Sequence, residues 1–425
     1  LVGHLHPDFA EGSAGREFLG RSLDLEKAFK QLARDPSQAA LSVVAVWNPE
    51  KKMAELFEAT ALAFGARNCV YGFNYFARAL EWILTLGLGV PCMHYFDDYP
   101  HLECQATAED GRRSMEEALN ILGWRFKTSG PKAAPFGTRF VTLGAIIDLT
   151  DLSRTGKIIV ANKPEREENI KKQLQDIREE GIIRPGVAAS LAGSLQYSDA
   201  QVLGKAGGWG LRALREVSRG PPRRVDEWIL SVFRFWDQYF ELSVPRAIQV
   251  ARRSPPILIF TDGCAEGENF DDVGVGATLH DPMGGPIEFL SARVSPGIVD
   301  SWRAPGQKQV IGQGELFPVL LARHTWRERL VGRLVVHFID NDSAKDALIK
   351  GHSSHPASME IIEQVWAQEL ELQSSSWYDR VPSASNPADG PSRGCCQELL
   401  DAGAVQVEPL LPPKWWSRGH LLPWP

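Results

Sequence analysis

The chain has 425 residues, 44% hydrophobic and 23% charged, the balance of a globular protein with room for two or three cores; this excludes a disordered or fibrous chain. Its net charge of −7 argues against a protein that coats nucleic acid by charge alone, but not against an enzyme whose catalytic sites are themselves acidic. Six cysteines (Cys69, Cys92, Cys104, Cys264, Cys395 and Cys396) form no C-x-x-C pair, so reduced thiols, no zinc module and a cytoplasmic or nuclear location are expected. The most apolar run, from Leu80 to Met93, is too short for a membrane span and contains Glu81 and Pro91. The N-terminus lacks the basic and apolar regions of a signal peptide and does not begin with Met, which reads as a fragment or an incomplete gene.

Residues up to about 150 mix short apolar strands with helices. In G-R-S-L-D-L-E-K-A-F-K-Q-L, Asp24 ends a strand signal at the mouth of a helix, where capping is its ordinary role. The stretch F-G-A-R-N follows at Phe64, and M-H-Y-F-D-D-Y-P-H-L places Asp97 and Asp98 side by side between aromatic residues. Two readings of that pair are open: the turn of a hairpin, or a cation site that relieves the repulsion of adjacent carboxylates. The segment from Ala108 predicts a helix stopping near Gly123, with Leu119 and Leu122 on its apolar side.

From Lys163 to about Leu242 the pattern is helical. Pro164 stands in a first turn, Gly181 at the stop, and Ile170, Leu174 and Ile177 form the apolar stripe between them. Arg212, Arg215, Arg219, Arg223 and Arg224 then gather with one acid among them, either a groove for a phosphate backbone or a solvated face. The proline-containing stretch around residues 245–256 reads as a linker.

Beyond it, P-P-I-L-I-F-T-D-G delivers Asp262 at the end of a buried strand, and Glu315 opens a helix. Asp340 follows the strand V-V-H-F-I, with Asp342 as its rival, and N-P-A-D-G-P-S-R carries Asp389. Each acid alone reads as a cap. His352 and His355 read as a polar loop, and the helix around Ile362, Val365, Trp366 and Leu370 as core packing. The Pro- and Trp-rich segment at 396–425 receives no role.

The ordered segments D-L-E-K-A-F, F-G-A-R-N, Y-F-D-D, the stretch with Lys132, and V-T-L-G resemble the palm of reverse transcriptases. The later Asp, Glu, Asp, Asp series and N-P-A-D-G-P-S-R resemble the ribonuclease H domain of retroelements. The resemblance spans roughly residues 18 to 393 and, in A-S-L-A-G-S-L-Q-Y-S-D-A-Q-V-L-G-K-A-G, is nearest to elements of the tyrosine-recombinase type. It implies a multidomain chain of α/β and α+β class. A palm with incomplete fingers would occupy 1–150, a helical thumb or connection 151–250, a ribonuclease H-like α/β domain 255–395 and a tail 396–425.

The activity so implied is RNA-directed DNA polymerisation with ribonuclease H hydrolysis. Its partners would be an RNA template, a DNA primer, an RNA–DNA hybrid and deoxynucleoside triphosphates, with two Mg²⁺ ions (or Mn²⁺) at each site. Asp24, Asp97 and Asp98 would serve the first metal pair, and Asp262, Glu315, Asp340 and Asp389 the second. Phe29 would gate the ribose; Gly65, Arg67 and Asn68 would floor the nucleotide and template, and Lys132 would be the basic partner. Cys69 and Val70 stand where the family carries proline, and only Arg16 and Arg21 supply non-histidine basic side chains before Asp24. The alternative is a remnant that binds nucleic acid without polymerising, or keeps only the nuclease.

Overall fold

The computed structural model describes residues 17–200, 207–242, 245–250, 254–268, 271–303 and 309–424. Arg16 and part of the 245–256 stretch lie outside them. The chain forms two compact units, Leu1–Lys163 with Ala247–Ala251, and Pro164–Arg246 with Arg252–Pro425.

In the first unit, β1 (Phe18–Asp24) pairs antiparallel with a strand at Asp98–Cys104, with Asp24 opposite Asp98. Between them in sequence come a two-stranded hairpin, β2 (Val43–Asn48) and β3 (Met53–Glu58), and helix α1 (Arg67–Trp82). The Asp98–Cys104 strand is β4, followed by α2 (Ala108–Ile121). Leu23, Leu25, Phe29, Phe73, Tyr99, Met115 and Leu119 close one core under the β1–β4 pair. The expected α2 stripe is shifted: Met115 and Leu119, four apart, are buried, whereas Leu122 is 46% exposed because it caps the helix and the chain turns away at Gly123. A second sheet of β5 (Arg139–Thr142), β6 (Ala145–Asp148) and β7 (Lys157–Asn162) is extended by β8 (Arg246–Gln249) beside β7.

The second unit opens with α3 (Pro164–Glu180), whose Ile170, Leu174 and Ile177 are buried, and with Gly181 at φ 69° as its stop. Helices α4 (Pro185–Ser198), α5 (Gly208–Ser218) and α6 (Glu227–Leu242) complete the helical block. A mixed sheet follows, built from β9 (Ile257–Glu266), β10 (Asp272–His280), β11 (Glu288–Val294), β12 (Leu334–Ile339) and β13 (Ser375–Arg380). Its order is β13-β12-β9-β10-β11; β9 pairs parallel with β12 and antiparallel with β10. Helices α7 (Pro296–Trp302), α8 (Ile311–Thr325), α9 (Asp342–Lys350) and α10 (Pro356–Leu372) pack around it, and a short turn of helix, α11, spans Asp389–Ser392.

The segment after 395 joins this sheet. Val405–Gln406 and Leu421–Leu422 both pair with β11, and Trp415 is fully buried against Trp302 and Phe317. Among the described residues no helix is long and apolar enough to cross a membrane.

Candidate active sites

The first acidic site is built on the β1–β4 pair. Directly opposed residues of an antiparallel pair share a face, so Asp24 and Asp98 project the same way. The turn that precedes β4 is closed by Tyr95 N–H donating to Asp98 O at 2.9 Å and Asp98 N–H donating to Tyr95 O at 3.1 Å. Its two central residues are Phe96, at φ 54°, and Asp97. Such a positive φ is costly for an aromatic residue, and the tight turn imposes it. Leu25 N–H donates to Asp97 O at 2.9 Å, tying the turn to the residue after Asp24. The acidic pair is thus both a hairpin turn and half of an acidic cluster.

Asp24 is buried, and Lys132 sits directly on it: the ammonium donates to Oδ2, and Lys127 Nζ lies 3.6 Å from Oδ1. The Lys132 ammonium is held above the usual lysine range chiefly by this bond to Asp24. Half-buried Asp98 is pushed up by burial and then by the neighbouring Asp97 charge. Phe29 packs in the core, stacked on Phe73 at 4.4 Å and beside Phe64 at 5.0 Å. Gly65, at φ 87°, Arg67 and Asn68 stand exposed at the start of α1, with Arg67 reaching the Tyr71 ring. Arg21 is buried and paired with Glu116 at 2.9 Å, so its charge is already engaged within the unit.

The second site lies where β9, β12 and α8 meet. Oxygen atoms of Asp262, Glu315 and Asp340 all lie within 4.8 Å of one another, the one such group of three among the described residues. Glycines make this convergence sterically allowed. A Cβ on Gly263 would come within 2.1 Å of Gly314 O, so the absence of a side chain there lets α8 press onto β9 and bring Glu315 to Asp262. Asp340 leaves the end of β12, which runs parallel to β9. Asp342, its rival, is instead exposed in the first turn of α9 and paired with Lys345 and Arg380, each at 2.8 Å.

Across β9, Gly276 is the partner of Asp262, and a Cβ on it would meet Ser392 N at 2.4 Å. The 386–393 segment uses that space. Asn386 Nδ2 donates to Thr261 O at 3.1 Å, and the Ser392 hydroxyl donates to Asp262 Oδ2. Asp389 is half exposed and receives Arg393 Nε at 3.2 Å; it stands outside the three-carboxylate group but acts electrostatically on Asp262. Ser392 and Arg393 stand in the sequence as the end of N-P-A-D-G-P-S-R, yet only the fold shows that one bonds Asp262 and the other Asp389 and Glu266.

Burial dominates the electrostatics here. It pushes Asp262 up to about 6, with the Asp340 and Asp389 charges adding to the rise and the Ser392 bond opposing it. Burial likewise pushes Glu315 up to about 9, reinforced by Asp262 and Asp340. Glu315 Oε2 and Asp340 Oδ1 are buried with no hydrogen-bond partner among the described residues. Clustered hard oxygen donors with unsatisfied lone pairs fit a divalent cation of the magnesium or manganese kind. Asp24, Asp97 and Asp98 do not reach the same mutual closeness, and a lysine occupies the space beside Asp24.

The arginine cluster divides. Arg223 pairs with Asp226 at 2.7 Å and stacks on Trp228, while Arg212, Arg215 and Arg219 line a cleft with Lys350 and His352. Gln313 Nε2 donates to His355 Nδ1 at 2.8 Å, a structural contact and not a ligand pair with His352.

No protein-family model matches the sequence, and no curated protein matches it. Among solved structures, the chain is similar at 13% identity and a TM-score of 0.44 to a foamy viral protease-reverse transcriptase in complex with double-stranded DNA, over 86% of this chain and 57% of that one. A second structure of the foamy viral protease-reverse transcriptase matches at the same identity and score over 68% of its length. Ribonuclease H1 from the archaeon Halobacterium salinarum matches at 16% identity and a TM-score of 0.25, over 34% of this chain and 99% of its own. The chain thus spans little more than half the length of the first viral structure, and likeness at these scores is too distant to assign an activity.

Proposed function

We propose that this chain is a phosphoryl-transfer enzyme of nucleic acids whose working centre is a nuclease of the ribonuclease H kind, cutting the RNA strand of an RNA–DNA hybrid. The observation that carries the reading is the convergence of Asp262, Glu315 and Asp340 within 4.8 Å, with orphaned carboxylate oxygens among them. Those three side chains would hold the divalent cation. When bound, a cation there supplies the positive charge that acidifies water and offsets charge on a departing oxygen.

The chain's own residues prepare the site for that role. Ser392 fixes the orientation of Asp262 through its hydroxyl proton, and Gly263 with Gly314 sets the reach of Glu315. Arg393 holds Asp389 at the solvent edge of the site.

The first unit supports a reverse-transcriptase palm in its β1–β4 placement of Asp24 and Asp98 and in the Asp97 turn. A second reading, in which only the nuclease works, is favoured by one specific feature: Lys132 and Lys127 neutralise Asp24, and the palm acids form no three-carboxylate group. A retroelement of the tyrosine-recombinase type is the source proposed for either reading, on the sequence motifs alone.

One experiment tests both. Labelled RNA–DNA hybrid and a primed RNA template are incubated with Mg²⁺ and the unmodified chain, Asp262→Asn or Asp97→Asn. Hybrid cleavage lost in Asp262→Asn and kept in Asp97→Asn supports the nuclease; cleavage indifferent to Asp262 sinks it. Extension that depends on Asp97 supports a working palm, and its absence beside intact cleavage supports the nuclease-only reading.

A further inference from the structure

We infer that the cleft between α5 and the α9–α10 loop is a second point of attachment for the phosphate backbone of the nucleic acid held at the Asp262 site. This rests on the nuclease reading. The cleft has a volume of about 830 Å³ and is lined by Arg212, Arg215, Arg219, Lys350 and His352, all within the second unit.

Its walls are set in place. Gly208 approaches Gly351 so closely that a Cβ would stand 2.5 Å from Gly351 O, and Arg212 donates to Ser353 O at 2.6 Å. Arg212 is therefore committed to the wall. Arg215 donates only to the neutral Gln196, at 2.7 Å, and Arg219 has no side-chain partner among the described residues. Two exposed guanidinium groups thus face the cleft without an ion pair among the described residues, and the planar donor fork of arginine matches phosphate oxygens.

The acids of the cleft do not cancel them. Asp199 is buried, accepts from Tyr239 at 2.8 Å and from Gly207 N–H at 3.0 Å, and is pushed up to about 7 by burial. Glu216 is the exposed carboxylate of the lining. Burial, with the Arg212 and Arg215 charges adding to it, holds the His352 ring below its usual range.

The cleft is also tied to the catalytic acids. Asp340 precedes α9, and Lys350 ends it, nine helical residues later, a span of about 13 Å. Gln313, one residue from Gly314 and two from Glu315, bonds His355 at 2.8 Å and Ser358 at 2.9 Å at the far side of the same loop. A duplex rising about 3.4 Å per base pair covers that span in about four base pairs. One nucleic acid can engage the acids and the cleft together.

The test measures binding to the full chain carrying Asp262→Asn, in Mg²⁺, with RNA–DNA hybrids of about 8 and about 18 base pairs as probes over a range of salt. Arg215→Gln with Arg219→Gln is expected to weaken the longer hybrid about tenfold and to lower its salt slope by about 1.8, about 0.9 for each phosphate no longer neutralised. The shorter hybrid still covers a span of about four base pairs and should be weakened as well. Arg327→Gln with Arg329→Gln, which removes equal charge elsewhere, should leave the slope of the longer hybrid unchanged.

Equal slopes and affinities for the longer hybrid with and without Arg215 and Arg219 would overturn the inference. So would pyrophosphate binding that depends on these arginines while hybrid binding does not, which marks a small-anion site. Cleavage by the chain with native Asp262 keeps the two readings apart. Arginine-dependent binding without any cleavage defeats the nuclease alone, and cleavage without arginine dependence defeats the cleft alone.

Discussion

Asp262→Asn should make the cation-free protein more stable, not less. Asp262 is 3% exposed, and burial with the Asp340 and Asp389 charges lifts its carboxyl from the usual 3.8 to about 6. For an acid whose pKa is raised by folding, the folded state binds the extra proton, so the penalty is absent below the unfolded value. It grows as pH rises from about 4 to about 6 and is complete above that. A rise of that size corresponds to roughly 3 kcal/mol, at about 1.4 kcal/mol per pH unit. Asparagine keeps an oxygen to accept from Ser392, so the substitution removes the charge without orphaning the hydroxyl.

Some of that gain is offset by the desolvation of a buried amide, and a net gain of about 1–2 kcal/mol is expected, or a Tm rise of roughly 2–8 °C for a unit of this size. Thermal unfolding in EDTA at pH 8 and at pH 4.5 measures it. The rise should be present at pH 8 and vanish near pH 4.5. Mg²⁺ or Mn²⁺ should raise the Tm of the unmodified protein and leave Asp262→Asn nearly unmoved. A lower Tm for Asp262→Asn in EDTA at pH 8, or a rise independent of pH, would refute the idea that unrelieved carboxylate charge strains this site.

Glu315→Gln and Asp340→Asn should each reduce Mg²⁺-dependent hybrid cleavage by at least about a hundredfold while near-native circular dichroism persists, since each removes a charged donor from the cation site; activity within threefold of the unmodified chain would count against the assignment. Gly263→Ala should cost about 1–3 kcal/mol in chemical denaturation, because its methyl group meets the Gly314 carbonyl, and should depress cleavage even where the protein remains folded. Lys132→Met should lower the stability of the first unit in EDTA by about 1 kcal/mol, because buried Asp24 loses a partner while Lys127 remains. Added Mg²⁺ should close most of that gap; equal losses with and without the ion would show that no cation replaces the lysine. Removing residues after 403 should destabilise the second unit cooperatively, since Trp415 lies in its core and β11 loses two edge pairings; an unchanged Tm would show the segment to be dispensable.

Local pattern settled much of the architecture. The i, i+4, i+7 spacing of Ile170, Leu174 and Ile177 between Pro164 and Gly181 specifies an amphipathic helix whatever surrounds it, because side-chain periodicity and end signals act within a few residues. The apolar run before Asp340 likewise places that acid at a strand end, whereas β9 runs on past Asp262 to Glu266 because β10 pairs with it that far, and the turn at Phe96 and Asp97 is one of the two readings that the adjacent acids leave open. Tertiary structure decided which of these acids meet. Glu315 reaches Asp262 only because Gly263 lets the Gly314 carbonyl, and with it α8, close onto β9, and Ser392 reaches it only because Gly276 opposes it. Lys132 lies 108 residues from the Asp24 it neutralises, and no local spacing encodes that pairing. The burial of Phe29 between Phe64 and Phe73, and the return of the Pro- and Trp-rich segment onto β11, are of the same kind. Periodicity and capping are short-range and legible in the chain, whereas convergence of charge depends on which backbones can approach, and that is fixed by packing over the whole unit.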